Sequence, residues 1–511
     1  MINKIKHMAW GKDNADRTLS YRLPAKPPFL ILIIIIGIIS TAFGAFTPQE
    51  VAADTAGEQR RRIEELENRL QQQEKQLKDT REQLEAMKKS MDAQQQKEEQ
   101  AKAKIKTPTK EVIKEILGTI TMDYREATPE EKRLETIYDD GFYLRGMDDT
   151  IKIGGWYQFD GRLYLDEGYP LADTFTNRRA RLDVRGVLEN DWGYRLYANL
   201  LGSPVIKEAW LEYQHFPFAR LKLGQFKEPF SLESQYSSRW IDFVERSMGV
   251  TALQPGEDIG VMVFGNFWNS RVVYGIGAFN GQGIDEDAVV DDKDVTGRVA
   301  VQPFRQQKDS LFEKLYIGGS FGFGNNELKL GNKHFVTAGQ LPFYEFASDA
   351  EADGKIYRYD AEIEWLNGPF DLTTEFIGTH YDRIRAGVEE DALTVNSWYL
   401  TLSYVLTGED AQRNKPIEPH RNFDFKGGGW GALQVLGRFE RFWTNDDLLD
   451  NGMAFGSDGA YGYSLGLNWW PNIHLKFMLN YVYTDFDQTI TMSGEELNDE
   501  NVILSRAQFN F

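Results

Sequence analysis

The sequence predicts an all-β transmembrane protein: an antiparallel β-barrel of about 16 strands, preceded by an N-terminal α-helical coiled-coil segment. Three observations predict it. After Gly141, apolar and polar residues alternate with a period of two, and the apolar set is rich in Tyr, Trp and Phe. The chain opens on a basic stretch and a long apolar run, the pattern of an export signal. It closes on an alternating segment whose last residue is Phe511.

Composition agrees with this class and excludes others. At 511 residues the chain is too long for one ordinary compact domain. No cysteine is present, so disulfide frameworks and thiolate metal sites are excluded, and six histidines leave little for an imidazole cluster. We therefore expect no metal and no cofactor. A formal charge of −20 argues against a nucleic-acid partner. The 46 glycines and 32 phenylalanines suit a sheet that shows only alternate residues to lipid.

Residues 1–53 read as a signal peptide. Six basic side chains (Lys4, Lys6, Lys12, Arg17, Arg22 and Lys26) precede the apolar run Phe29 to Phe46. Small residues allow cleavage after Gly44 or after Ala53, and the second is preferred. Removing residues 1–53, with six bases and three acids, takes the charge from −20 to −23. An uncleaved helical anchor is the alternative.

Residues 54–107 read as a periplasmic coiled coil. Ile63, Leu66, Leu70, Gln73, Leu77, Thr80, Leu84, Met87 and Met91 follow the alternating three- and four-residue spacing of an a/d seam. One helix alone could not bury that seam. Gln73 and Thr80 within it would lower stability and fix register or oligomer number. Pro108 ends the pattern, and residues 108–141 form a mixed-charge linker.

Residues 142–511 form the barrel domain. In Ile151 to Asp166 one face carries Ile151, Ile153, Tyr157, Phe159, Leu163 and Leu165, and the other Lys152, Gln158, Asp160, Arg162 and Asp166. Such a strand lies between lipid and water. About sixteen segments begin near residues 151, 177, 192, 206, 218, 258, 269, 295, 313, 355, 370, 395, 429, 460, 472 and 501. An even count returns both barrel ends to the periplasm. Short connections at 188–192, 215–219, 265–270, 367–370 and 470–473 then alternate with long external ones at 228–257, 325–354 and 443–460. One connection, 407–428, is long on the periplasmic side: either a strand pair is miscounted there or that turn has its own role. A soluble β-sandwich or propeller is the alternative fold, opposed by the aromatic strand ends, the export signal and the terminal Phe511.

A barrel of this size leaves an aqueous lumen unless something folds inward. Alternation places Arg179, Arg181, Asp183 and Arg185 on the lumen, at roughly 7 Å per step. Arg162, Arg195, Arg271 and Arg298 face inward by the same logic. Successive guanidiniums suit anions, since each offers forked hydrogen bonds in place of hydration. Against this, Asp160, Glu208, Glu212, Asp360, Glu362, Glu364 and Glu440 also project inward and could neutralise them. The third external connection carries Arg239 and Arg246, follows Lys227, and holds Phe230, Tyr236, Trp240 and Phe243 that could pin it inside as a constriction loop.

Several stretches resemble the phosphate-selective porin family (porin O and P type) of Gram-negative outer membranes: Asn177-Arg178-Arg179-Ala180-Arg181-Leu182, Leu223-Gly224-Gln225-Phe226-Lys227-Glu228-Pro229, Phe243-Val244-Glu245-Arg246, Gly277-Ala278-Phe279-Asn280-Gly281, Ser403-Tyr404-Val405-Leu406-Thr407-Gly408-Glu409 and Gly466-Leu467-Asn468-Trp469-Trp470. The resemblance spans nearly all of residues 142–511. It implies a homotrimer of sixteen-stranded barrels, Arg178 and Arg179 as members of an arginine ladder, and Lys227 as a constriction lysine. The expected function is an outer-membrane porin for small hydrophilic solutes, preferring phosphate or similar small anions, in contact with outer-membrane lipid and not an enzyme. Its stalk would lie in the periplasm and reinforce the trimer or reach the cell wall. A general or cation-preferring porin and a structural tether with a plugged pore are the alternatives. A barrel hydrolase using His380 or His474 has no serine–histidine spacing to support it.

Overall fold

The computed structural model describes residues 135–138 and 141–511, apart from Met147, Glu167, Gly168, Val289, Val290, Asp309, Asn332 and Asp446. The signal segment, the heptad stalk and nearly all of the linker lie outside the described residues.

Sixteen strands form one closed antiparallel wall. They are β1 (Thr150–Tyr164), β2 (Thr174–Leu188), β3 (Trp192–Asn199), β4 (Ile206–Tyr213), β5 (Arg220–Lys227) and β6 (Glu257–Phe267). Next come β7 (Val272–Phe279), β8 (Asp294–Val301), β9 (Lys314–Lys329), β10 (Glu351–Asn367) and β11 (Phe370–Ala386). β12 (Glu389–Val405), β13 (Ala432–Thr444), β14 (Gly459–Asn472), β15 (Leu475–Met492) and β16 (Glu495–Asn510) complete the wall. Each pairs with its successor, and β16 returns to β1 with Arg506 opposite Asp160 and Phe509 opposite Tyr157. Closure matters in lipid, where an open edge would leave backbone N–H and C=O groups without partners. The terminal residue takes part: Gly155 N–H donates to the Phe511 carbonyl at 2.9 Å, and Phe511 N–H to the Gly155 carbonyl at 3.0 Å. Beyond that point a short strand, Phe142–Arg145, pairs with the start of β1 and continues the seam.

The two-residue period sets which face each side chain takes. Along β12, Ser397, Tyr399, Thr401 and Ser403 are buried inward, while Leu402 and Tyr404 stand exposed on the outside. Leu196, Phe321 and Leu465 are likewise outward, the surface that lipid covers. Strand positions agree with those read from the sequence, except that β12 and β16 reach about six residues further at their external ends. The long periplasmic connection is real. Residues 406–431 form one folded turn and no strand pair is missing.

The lumen is not open throughout. The third external loop, residues 228–256, lies inside the barrel, where Phe230, Leu232, Ile241, Phe243, Val244, Met248 and Val250 are buried. Small helices Leu232–Gln235 and Met248–Leu253 are capped by Ser231 and Ser247, whose hydroxyls accept from Ser234 and Val250 N–H. From above, Pro342–Phe346 pairs with His334–Val336 and with Ala454–Gly456, joining two further external loops into a three-stranded sheet. Phe335, Phe343 and Tyr344 of this sheet, with Leu341 just before its central strand, cluster with Ile377, Ile384, Leu393, Val395 and Phe442 of the wall. The inner face of β10 to β15 is therefore apolar in its external half, and that half of the lumen is a dry core. Burial of such side chains contributes roughly 1.5–3 kcal/mol each, an upper estimate, which fixes the loops in place.

Candidate functional site

A cavity of about 1010 Å³ lies on the β1 to β8 side, bounded by the third loop and by the long periplasmic turn. Eleven basic side chains line it against three acidic ones, Glu208, Glu257 and Glu418. Arg179, Arg181 and Arg185 come from β2, Arg195 from β3, Lys222 and Lys227 from β5, and Arg298 from β8. Arg239 and Arg246 come from the third loop, Lys207 from β4 and Lys415 from the periplasmic turn. Eight of the residues singled out from the sequence thus meet in one space: Arg179, Arg181, Arg185, Arg195, Lys227, Arg239, Arg246 and Arg298.

Three others do not line it. Arg162 is on the inner face of β1 toward the external end. Arg271 belongs to the turn after β6, where its Nη2 donates to Gln306 Oε1 at 2.7 Å, so it sits at the periplasmic rim and not on the wall. Arg178 lies behind the cavity and explains the adjacent-arginine motif. Gln158 pairs with Arg179 but Phe159 pairs with Asn177, leaving Arg178 as the extra residue of a β-bulge. The bulge turns both guanidiniums inward where strict alternation would send one to lipid. Arg178 then grips Glu245 of the third loop with two bonds, Nε to Oε1 at 2.7 Å and Nη2 to Oε2 at 3.1 Å. Arg179 and Arg506 approach the same carboxylate at 3.8 and 3.7 Å. Burial alone would raise the Glu245 carboxyl, but Arg178, Arg179 and Arg506 outweigh it and hold it down at about 2.

The same device brings in a residue that the sequence reading missed. Tyr197 pairs with Glu208 and Ala198 with Ile206, so Lys207 is a second bulge residue, and its Nζ reaches Glu257 at 2.8 Å. Strict period-two counting puts Lys207 outside, so no signal in the sequence marked it. Lys222 was legible, since Arg220 and Lys222 alternate with Leu221 and Leu223. Lys415 had no signal at all.

The lining cations differ in how they are held. Arg195 is clamped between Asp183 (2.7 Å) and Glu208 (2.9 Å), and Arg298 is paired with Glu362 (2.6 Å). Arg246 instead donates to two backbone carbonyls, of Glu233 at 3.1 Å and Tyr236 at 2.8 Å, and Lys227 donates to the Ser234 carbonyl. Arg181 lies beside the Tyr197 ring at 5.6 Å, with Nε and Nη1 buried and without a hydrogen-bond partner. Among the described residues, Arg181, Lys227 and Arg246 have no carboxylate within ion-pair distance. A carbonyl or a ring orients a cation without cancelling its charge, so these three present net positive charge to the cavity.

The loop and the turn meet across the pore. Asn414 Oδ1 accepts from Ser237 N–H at 2.8 Å, and Arg413 pairs with Glu364 and donates to the Lys314 carbonyl at 3.0 Å. On the far wall Arg438 pairs with Glu233 at 2.8 Å, and Lys476 Nζ donates to the Ile241 carbonyl at 2.8 Å. The constriction is therefore built from both ends, by side chains that tie loop, turn and wall together. Among the described residues no cluster of His, Cys, Asp and Glu fits a metal ion.

Comparison with known proteins returns the same class. A family model described as "Phosphate-selective porin O and P" matches residues 151–511. Porin O of Pseudomonas aeruginosa is 24% identical over 404 residues, covering 71% of this chain and 88% of that protein. Solved structures of similar shape include OmpT of Vibrio cholerae (TM-score 0.48, 12% identity, 72% of this chain and 100% of that one). An anion-selective porin from Comamonas acidovorans is another (TM-score 0.45, 11% identity, 71% and 100%).

Proposed function

The chain belongs to the phosphate-selective porin O and P family and is an outer-membrane channel, and from that premise we propose that it passes small hydrophilic anions, phosphate among them. The observation that carries this reading is the lining of the cavity on the β1 to β8 side, eleven basic groups against three acidic ones, in a chain whose net charge is −20. Positive charge is concentrated where solute must pass. Arg181, Lys227 and Arg246 offer successive donors without their own carboxylates, and an anion can exchange its hydration for each in turn. Arg179, Arg185, Arg195, Arg239 and Arg298 add to the field while ion pairs, hydrogen bonds and rings fix their positions. Arg178 serves in this reading as a loop clamp and not as a rung. The protein acts as a channel and carries no enzymatic step.

A second reading has one observation in its favour. Arg178, Arg195, Arg298, Arg438 and Arg506 are all held by carboxylates, which would leave a weakly selective general porin. Zero-current potential across a planar bilayer under a KCl gradient decides between them. The anion reading expects a chloride-signed potential and block by added phosphate, both reduced in Arg181→Ala and Lys227→Ala. A null or cation-signed potential in the unaltered protein refutes it.

For the whole chain the proposal is a homotrimer, residues 1–53 removed on export, and residues 54–107 forming a periplasmic three-helix coiled coil ahead of the linker 108–141. Its support is the a/d seam, which needs partner helices. Deleting residues 54–107 is expected to weaken the trimer on native gels or to abolish cell-wall attachment; a deletion that changes neither refutes this role.

A further inference from the structure

The long periplasmic turn has two arms, and the pore uses one of them. Its inner arm carries Gln412, Asn414 and Lys415 to the cavity. Its outer arm, residues 420–431, turns the other way. Phe423 N–H donates to the Pro471 carbonyl at 2.7 Å, and the Phe423 ring meets the lipid-facing Trp469 edge-on at 5.3 Å. Trp469 Nε1 in turn donates to the Trp430 carbonyl at 2.8 Å and its ring stacks on Phe477, 5.5 Å away. The arm is thus fastened to the outside of the wall, at the periplasmic end of β14 and β15. A tight bridge between Asp424 and Gly429 closes its tip. At that tip Phe425 is 91% exposed and Trp430 76% exposed.

We propose that this outer arm is a membrane foot, which seats Phe425 and Trp430 in the periplasmic leaflet of the outer membrane and meets phospholipid headgroups with Arg421 and Lys426. Three features argue for lipid as the occupant. The aromatic tip is continuous with the aromatic belt of the wall through Phe423, Trp469 and Phe477. Aromatic rings favour the depth of the headgroups, where one side is apolar and the other wet. Flanking basic side chains match the phosphates there, and Asp424, turned to its own backbone at Lys426 N–H (2.9 Å), does not oppose them. Two large exposed rings on a water-facing turn would otherwise cost solubility with no return. The foot would fix the height of the wall in the bilayer and, through the shared turn, the position of the inner arm at the pore mouth.

The chain has no cysteine, so Phe425→Cys accepts a single nitroxide label. The full-length protein is reconstituted in phospholipid vesicles and its collision rates with oxygen and with a water-soluble nickel chelate are compared. Leu465→Cys, on the lipid face of β14, and Val388→Cys, at the 97% exposed tip of the turn after β11, give the lipid and water references. The expected result is a several-fold higher oxygen-to-nickel ratio at 425 than at 388, intermediate or close to that at 465. A ratio equal to that at 388 overturns the proposal. Dipolar broadening at 425 that disappears when labelled chains are diluted with unlabelled ones also overturns it, since the foot would then be covered by a neighbouring copy. Trp430→Cys repeats the test at a second position. Channel conductance of each labelled protein reports that the barrel has folded.

Discussion

Arg178 and Glu245, 67 residues apart in sequence, face each other across the third loop as a two-bond fork at 2.7 and 3.1 Å. The carboxylate sits where an anion would bind an arginine pair. It thereby ties Arg178 to the loop, and in the proposed reading the permeating ion is left to Arg181, Arg246 and Lys227. Glu233 with Arg438 makes a second pin of the same loop at 2.8 Å.

Glu245→Gln removes one negative charge beside the cavity and releases Arg178. At about 4 Å in a water-like dielectric a unit charge is worth about 1 kcal/mol, or about fivefold in local anion occupancy. The anion-to-cation permeability ratio is therefore expected to rise by about that factor. Glu233→Gln loosens the same loop without freeing the adjacent arginines. Equal effects of the two substitutions on the zero-current potential would show that Glu245 is a loop pin and nothing more.

Arg181→Ala and Arg298→Ala separate charge from clamping. Loss of Arg181, which has no carboxylate partner among the described residues, is expected to lower the permeability ratio by on the order of fivefold. Loss of Arg298 leaves Glu362 buried and unpaired, a penalty of about 3–5 kcal/mol, so a lower unfolding temperature in detergent is expected. Differential scanning of both variants beside their bilayer records checks the split.

Gly249→Val tests how tightly the third loop is pressed on the wall. A Cβ at Gly249 would lie 2.3 Å from Ser397 Cβ, closer than any real contact. The helix Met248–Leu253 must then lift, and single-channel conductance is expected to rise and become noisy. A quiet channel of unchanged conductance would show that the loop rests on other contacts.

The Glu245 fork also sets a pH window. Its carboxyl lies at about 2 in the folded chain, against 4.5 for an ordinary glutamate. Because the folded value is the lower one, the fork stabilises the loop fully above about 4.5, and that contribution fades as pH falls toward 2. Conductance that holds steady from pH 7 to about pH 5, with loop noise growing only on further acidification, is the expected record. Noise that begins near neutrality would place control elsewhere.

Asn414→Ala cuts the bond from the periplasmic turn to Ser237 at 2.8 Å. The two halves of the constriction then move independently, and broader conductance levels with unchanged ion preference are expected in single-channel traces.

The sequence by itself determined the wall. A two-residue period and an alternation of short and long connections are local properties, and they located all sixteen strands, the inward face of Arg179, Arg181 and Arg185, and the loop carrying Arg239 and Arg246. Tertiary structure alone decided which charges count. The bulges at Arg178 and Lys207 reverse a side chain's face by inserting one residue, and nothing in a binary pattern marks that insertion. The apolar core against the external half of β10 to β15 depends on loops far apart in sequence meeting the inner wall, so that part of the expected channel is filled. The carboxylate partners of Arg178, Arg298, Arg438 and Arg506 are likewise set by strands and loops tens to hundreds of residues distant. Arg178 and Arg181 are three residues apart on one strand, yet one faces a carboxylate and the other a tyrosine ring. Their opposite roles follow from what the folded chain places across from them.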